Sequence, residues 1–447
     1  MNAKHIMAVC VVLSLSIASA ATIDNIVVNQ MWPWSTKVAI DYELNCNPGE
    51  TWDVVLTVRD AQNNEVTGVS NAIYGDTANV AGGAHRLIWD PGRSLATGEA
   101  PVLSYTLSVR EPLGKKYMIV DLSAGRDENG MFSVSYLDEE PTGGFNTAEY
   151  KTTKMVFRRC PAGSFIMGSP DTEPDRNKFV KNSNEETLQD MEKQHKVTLT
   201  QDFYLGLFEV TAGQSYLIWD NDQGSQNSMY PFRNITPNFY RTPSKASTYN
   251  QTDWAANTSV EADSLVGKFR AKIPAASQVS GYVFDLPTEA QWEYACRAGT
   301  TNVWNNDGPA SPVAAYVGDD YIGDYADTVL DTLGRYYYVV SGETHKRHVG
   351  NVVTVGSYLP NDWGFYDMHG NVMEICLDAW PTAGNDGSDA TDPVLGAGVT
   401  GARIARGGCW LYKASYCRSA AKNRIPVQTS SNSAGVRLAF VPERPAE

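Results

Sequence analysis

Hydrophobic and polar positions alternate in short runs over residues 21–112. Val38, Ile40, Tyr42 and Leu44 fall on one face of an extended segment, with Lys37, Asp41 and Glu43 on the other. That period of two is the pattern of a half-buried strand. Ile26–Val28, Trp52–Arg59, Arg86–Trp89 and Ser104–Arg110 are further runs rich in β-branched and aromatic residues, which suit a pleated surface. Asn47-Pro48-Gly49, Gln62-Asn63-Asn64, Gly82-Gly83 and Asp90-Pro91-Gly92 supply turn chemistry between them. Strands spaced by roughly 8–12 residues predict an all-β sandwich.

Residues 113–150 read as a transition. Tyr117–Leu122 and Phe132–Leu137 have the composition of strands, separated by Gly, Asp and Glu. From residue 151 to 442 the texture changes and helices enter. Thr211 with Gln214, and Thr288 with Gln291, fit capping boxes, in which the Ser/Thr hydroxyl and the Gln amide satisfy each other's backbone amides. The first leads into Tyr216-Leu217-Ile218-Trp219. The second predicts a helix carrying Trp292, Ala295 and Cys296 inward and ending at Gly299. No repeat of solenoid period is present.

The N-terminus reads as a secretory signal. Lys4 and His5 precede an apolar run from Ile6 to Ala18, and Ala18-Ser19-Ala20 offers a small-x-small cleavage site after Ala20. The run is shorter than the roughly 18–20 residues of a spanning helix. The mature chain is therefore expected to be secreted or periplasmic, with no membrane span, in an oxidising compartment. Of the 7 cysteines, Cys10 would leave with the signal. Cys46, Cys160, Cys296, Cys376, Cys409 and Cys417 remain, with their pairing open. A formal charge of -15 opposes nucleic-acid binding, because nothing would drive counterion release. Aromatics at 11% give the chain ample material for packed cores or a binding surface.

Six collinear motifs carry more information. They are Cys160-Pro161-Ala162-Gly163-Ser164-Phe165-Ile166-Met167-Gly168-Ser169, His195-Lys196-Val197-Thr198-Leu199 followed by Glu209-Val210-Thr211, and Leu286 to Gly299 with Thr288-Glu289-Ala290-Gln291-Trp292-Glu293 inside it. Then come Val355-Gly356-Ser357-Tyr358, Asn361-Asp362-Trp363-Gly364-Phe365-Tyr366-Asp367-Met368-His369-Gly370-Asn371-Val372, and Arg406-Gly407-Gly408-Cys409-Trp410 through Cys417-Arg418-Ser419-Ala420 to Gly435-Val436-Arg437-Leu438-Ala439. Together they resemble the formylglycine-generating enzyme (sulfatase-modifying factor) family. The resemblance implies an α+β, C-type-lectin-like domain with little regular secondary structure, so the chain is expected to be multidomain. More weakly, Ala81–Arg93 resembles immunoglobulin-like modules that precede bacterial exported domains, which implies an adhesion, spacing or docking role.

In the family's enzymes, two cysteines five residues apart bind Cu(I) and use O2 to oxidise a sulfatase cysteine to formylglycine. Paired thiolates suit that soft ion. The resemblance places the pair at 412 and 417, but this chain has Tyr412 and Cys417. Cys409 stands where the family usually has Ser, eight residues before Cys417, and is the one candidate to replace the missing ligand. The resemblance also implies a calcium site at Asp367, Gly370, Val372 and Glu374: two carboxylates and two carbonyls, the hard oxygen donors that calcium takes. Here Met373 and Ile375 flank Glu374 in place of two tryptophans. A second family calcium site falls near Tyr316–Asp331, with Asp319 and Asp320 as loose candidates. His345 and His348 lack a third ligand. No His-Glu-x-x-His, phosphate-binding glycine loop or Gly-x-Ser-x-Gly elbow is present.

Two functions follow. One is a non-catalytic, calcium-stabilised lectin-like protein that binds a protein, peptide or glycan through a surface including Trp304, Trp363, Trp410, Tyr412 and Tyr416. The other is a copper-dependent oxidase acting on a sulfatase-type peptide, with Cys417 and Cys409 as ligands. Site chemistry favours the first, because function is argued from the site and not from the fold.

Overall fold

The computed structural model describes most residues from 21 to 444; outside it lie 1–20, 92–103, 177–190, 220–227, 242–253, 255–259, 306–328, 338–350 and 397–400, with shorter gaps of one to three residues elsewhere. The signal segment, His345, His348, Asp319 and Asp320 therefore lie outside the described residues. Among the described residues the chain is β-rich with short helices, and no helix is long and apolar enough to cross a membrane.

The chain divides into two units. The first runs to Lys116 and also takes Pro161–Ile166 and Thr198–Gln201. It holds a four-stranded sheet in the order Thr22–Gln30, Val38–Asn45, Gly83–Trp89, Ile73–Gly75, and a three-stranded sheet in the order Val80–Ala81, Thr51–Arg59, Ser104–Arg110. Val38, Ile40, Tyr42 and Leu44 are all buried, as their alternation requires. They share one apolar cluster with Val54, Leu56 and Val58 from the second sheet and with Trp89. The Asn47–Glu50 turn is closed by Glu50 N–H donating to Asn47 O at 3.1 Å, and Gly49 takes φ +87°, which glycine adopts without a Cβ penalty.

The second unit comprises Tyr117–Cys160, Met167–Val197 and Asp202 onward. Its main sheet has six strands in the order Tyr282–Asp285, Ala439–Pro442, Phe203–Gly206, Lys154–Cys160, Tyr117–Asp121, Ser133–Leu137. The two transition strands are thus the edge of this sheet. Phe284 is the centre of its aromatic packing, with ring centroids 5.4 Å from Phe157, 4.9 Å from Phe269 and 4.6 Å from Phe440; such tilted pairs add to the area they bury. A second sheet orders Asn423–Pro426, Ala402–Arg406, Met373–Ala379 and Ala434–Gly435.

Both capping boxes form. Gln214 N–H donates to Thr211 Oγ1 at 3.1 Å, and Gln291 N–H donates to Thr288 Oγ1 at 3.1 Å; each Gln returns an acceptor to its Thr amide. The second helix, Glu289–Arg297, is buried on every side, wider than its expected inward face. It ends one residue before Gly299, at Ala298 in the left-handed region with φ 46°.

Burying that helix buries its charges. Glu293 pairs with Arg297 at 2.9 Å and with Arg406, and Arg406 lies over the Trp292 ring. Buried charges need such partners, since an unpaired one in a dry interior costs several kcal/mol or more.

Candidate functional site

The strand Ala402–Arg406 ends in Gly407 and Gly408, both at positive φ (85° and 69°). A Cβ on Gly408 would stand 2.5 Å from Cys417 Sγ. Glycine is therefore required here for the chain to turn back and let the Cys417 thiol pack against it. Tyr412 N–H closes the following turn on Cys409 O at 2.9 Å, and Tyr412 O accepts from Tyr337 N–H at 2.8 Å. A short 3-10 turn, Ala414–Cys417, brings Cys417 back toward Cys409.

The two thiols come close enough that a thiolate at Cys409 would disfavour a charge on Cys417. Both are buried free thiols. Burial pushes Cys409 up to about 12 and raises Cys417 well above the usual thiol range. A thiol in apolar surroundings stays protonated and inert. Cys417 belongs to an apolar cluster with Val303, Trp304, Leu330, Leu333 and Tyr336. Its carbonyl accepts from His369 Nδ1 at 2.7 Å, while Asn305 N–H donates to His369 Nε2 at 3.2 Å; that pair of bonds fixes the neutral tautomer. Burial holds the His369 pKa down, to about 4.

Tyr412 packs its ring on Tyr416, centroids 4.9 Å apart, and keeps a half-buried phenol. A phenol is a hard oxygen donor. A Cu(I) pair at 412 and 417 does not fit these residues. Of the expected aromatic surface, Trp363, Trp410, Tyr412 and Tyr416 are partly exposed. Trp304 is not: it is 1% exposed and packs edge-on against His369 at 5.5 Å. An indole beside an apolar cluster gains more from burial than from solvent.

Asp367, Gly370 and Val372 lie on the turn leading into the strand Met373–Ala379, Glu374 is the second residue of that strand, and all four are buried. Asp367 takes φ 57° and Gly370 φ 90°, so the turn is tight. Asp367 Oδ2 accepts from Gly356 N–H at 2.6 Å, but Oδ1 is buried without a hydrogen-bond partner. Glu374 is committed: Trp292 Nε1 donates to Oε2 at 2.6 Å, and the Arg437 guanidinium grips both oxygens.

Sequence reasoning missed Glu209. Its carboxylate is fully buried and accepts from Asn371 Nδ2 at 2.6 Å and from Val372 N–H at 3.0 Å. Three carboxylates, Glu209, Asp367 and Glu374, thus crowd against Arg437 and the more distant Lys151. Burial first, then mutual repulsion, pushes Glu209 well above the carboxylate range. Burial likewise raises Asp367 to about 6. A lone Glu in the apolar run Leu205 to Val210 was the available signal. The excess of negative charge and the orphaned Asp367 Oδ1 fit a bound hard cation. Among the described residues no three His, Cys, Asp or Glu side chains converge as a ready metal cluster, so such an ion would draw on the Gly370 and Val372 carbonyls as well.

The FGE-sulfatase family, described as a sulfatase-modifying factor enzyme 1-like domain, matches residues 143–441. The chain belongs to this family. The matched region starts inside the transition segment, eight residues before the boundary expected at 151. Sequence relatives include a formylglycine-generating enzyme of Streptomyces coelicolor, 34% identical over 34% of this chain and 46% of that protein. Another, from Bos taurus, is 29% identical over 34% of this chain and 38% of that protein. The chain therefore matches less than half the length of these relatives. Among solved structures, Treponema denticola variable protein 1 is 20% identical, covering 65% of this chain and 96% of its own, at a TM-score of 0.41. PvdO from Pseudomonas aeruginosa is 22% identical, covering 64% and 94%, at 0.39. Within this sulfatase-modifying factor domain, Cys409, Tyr412 and Cys417 form one cluster, and Asp367, Gly370, Val372, Glu374 and Glu209 form another.

Proposed function

We propose that this chain is an exported, non-catalytic binding member of the sulfatase-modifying factor family. Its second unit is a lectin-like domain held by calcium, and its first unit is an immunoglobulin-like sandwich serving as an adhesion or docking module. The ligand is a protein, peptide or glycan, met by the partly exposed Trp363, Trp410, Tyr412 and Tyr416. The observation that carries this reading is the Tyr412 position. The first thiolate of the copper pair is replaced by a phenol whose ring packs at a tilt against Tyr416, and the second, Cys417, is a buried neutral thiol. Asp367, the carbonyls of Gly370 and Val372, and the remaining lone pair of Glu374 Oε1 would hold calcium, which would neutralise the crowded carboxylates; the orphaned Asp367 Oδ1 supports it.

A second reading, the copper-dependent oxidase, draws on the proximity of Cys409 to Cys417. The two separate in one assay. Pure protein is incubated with Cu(I), O2 and a peptide bearing a Cys-x-Pro-x-Arg core, and mass spectrometry looks for aldehyde. No product from the wild type, alongside product from Tyr412→Cys, supports the binder. Product from the wild type that disappears in Cys409→Ala overturns it.

A further inference from the structure

A cavity of about 530 Å³ opens in the second unit, and its lining includes none of Cys409, Tyr412, Cys417, Asp367 or Glu374. Its volume falls in the range of small-molecule sites. Much of the wall is apolar, with Met167, Met191, Pro393, Leu395 and Ile404. Methionines adapt their shape to an occupant. Three charged groups line the same space: Glu289, Asp378 and Lys422.

The charges do not balance. Lys422 Nζ lies 3.0 Å from the Glu289 carboxylate and is spent on it. Arg406, outside the lining, is 3.6 Å from Glu289 but is held by Glu293. Asp378 is 4% exposed, and among the described residues no cation forms an ion pair with it as Lys422 does with Glu289. Its Oδ2 accepts from Glu289 N–H at 2.6 Å and its Oδ1 from Leu395 N–H at 2.8 Å. Each oxygen keeps one lone pair. Burial and the neighbouring Glu289 raise Asp378 to about 6, against a lesser pull from Lys422 and from the buried Arg444. His195, on another wall, accepts or donates at Nδ1 with Lys193 O and Asn385.

We propose that this cavity binds a small organic cation, an ammonium head paired with Asp378 and an apolar body laid against Met191, Ile404 and Leu395. The head restores the missing positive charge, and the body fills apolar volume that water hydrates poorly.

The test is calorimetric titration of the full chain with n-hexylammonium, n-hexanoate and n-hexanol. Hexylammonium is expected to bind, hexanol at least about tenfold more weakly, and hexanoate not at all. Asp378→Asn weakens the ammonium about tenfold, whereas Lys422→Met strengthens it by removing a like charge. Asp378 also holds two backbone amides, so its variant carries a folding risk. Leu395→Trp covers that risk: Leu395 is 38% exposed, and the larger ring blocks the cavity from its rim. Loss of binding in Leu395→Trp with an unchanged melting curve supports the site. Hexanoate binding that vanishes in Lys422→Met, equal affinity for hexanol and hexylammonium, or no heat with any of the three would each overturn the proposal.

Discussion

Arg418, the residue after Cys417, grips Glu192 with both arms of its guanidinium, Nη1 to Oε2 at 2.7 Å and Nη2 to Oε1 at 2.8 Å. Nη1 also meets Glu173 Oε1 at 2.6 Å, and all three groups are buried. A planar fork matched to a carboxylate is a strong, directional bond. The Cys-Arg-Ser-Ala run therefore has a structural reason independent of copper, which is why Cys417 alone says little about catalysis. Arg418→Met leaves two buried carboxylates facing each other and is expected to cost about 3–5 kcal/mol. Arg418→Lys keeps the charge but not the fork and should recover only part. Urea denaturation of the two variants checks this; equal stability of Arg418→Met and wild type would show the network to be dispensable.

Thiol chemistry tests the state of the cysteine cluster. Cys46 is partly exposed, with Sγ 3.6 Å from Glu50 O, whereas Cys409 and Cys417 are buried and held protonated. Iodoacetamide on the native protein should label Cys46 first. Cys409 and Cys417 should react only after denaturant is added, since alkylation needs an accessible thiolate. Peptide mapping reads the order. Rapid native labelling of Cys417 would mean an activated thiol and would reopen the oxidase reading.

Calcium should act through Asp367. Added calcium is expected to raise the melting temperature of the wild type and a chelator to reverse it, by mass action on the folded state. Asp367→Asn removes one of three crowded carboxylates, so without calcium it should be neutral or stabilising, by up to about 3 kcal/mol. With calcium the order inverts, because the variant loses its ligand. A melting temperature indifferent to both calcium and chelator would remove the metal from this turn.

These networks also mark what the sequence could disclose. The period-two face of Val38–Leu44 and both Thr–Gln capping boxes were legible because they depend on neighbours a few residues away, and all of them form. The helix Glu289–Arg297 was legible in its start but not in its burial, because periodicity assumes that charged residues face water. Glu293 and Arg297 face inward because Arg406 waits there from a strand more than a hundred residues later. Glu209 was missed for the same reason: its partners Asn371 and Val372 lie over 160 residues away, and no local pattern announces them. Trp304 was misplaced because aromatic residues look alike in sequence whether they pack or bind.

Asp378 makes a prediction with a defined sign. Its folded value is about 6 against 3.8 for an ordinary aspartate, raised by burial and Glu289, with Lys422 and Arg444 as the opposing charges. The folded state therefore takes up this proton more readily than the unfolded chain. The stabilisation is fully present below about pH 3.8 and is lost as pH rises through about 6. Integrated over that window it amounts to at most roughly 3 kcal/mol. Asp378→Asn carries no titrating proton, so the difference between wild type and variant should move in the wild type's favour as pH falls from 7 to 4. Denaturant midpoints of both proteins at several pH values measure this. A difference that stays flat, or that moves toward the variant on acidification, would mean that Asp378 is ionised without penalty and that its surroundings already hold a compensating charge.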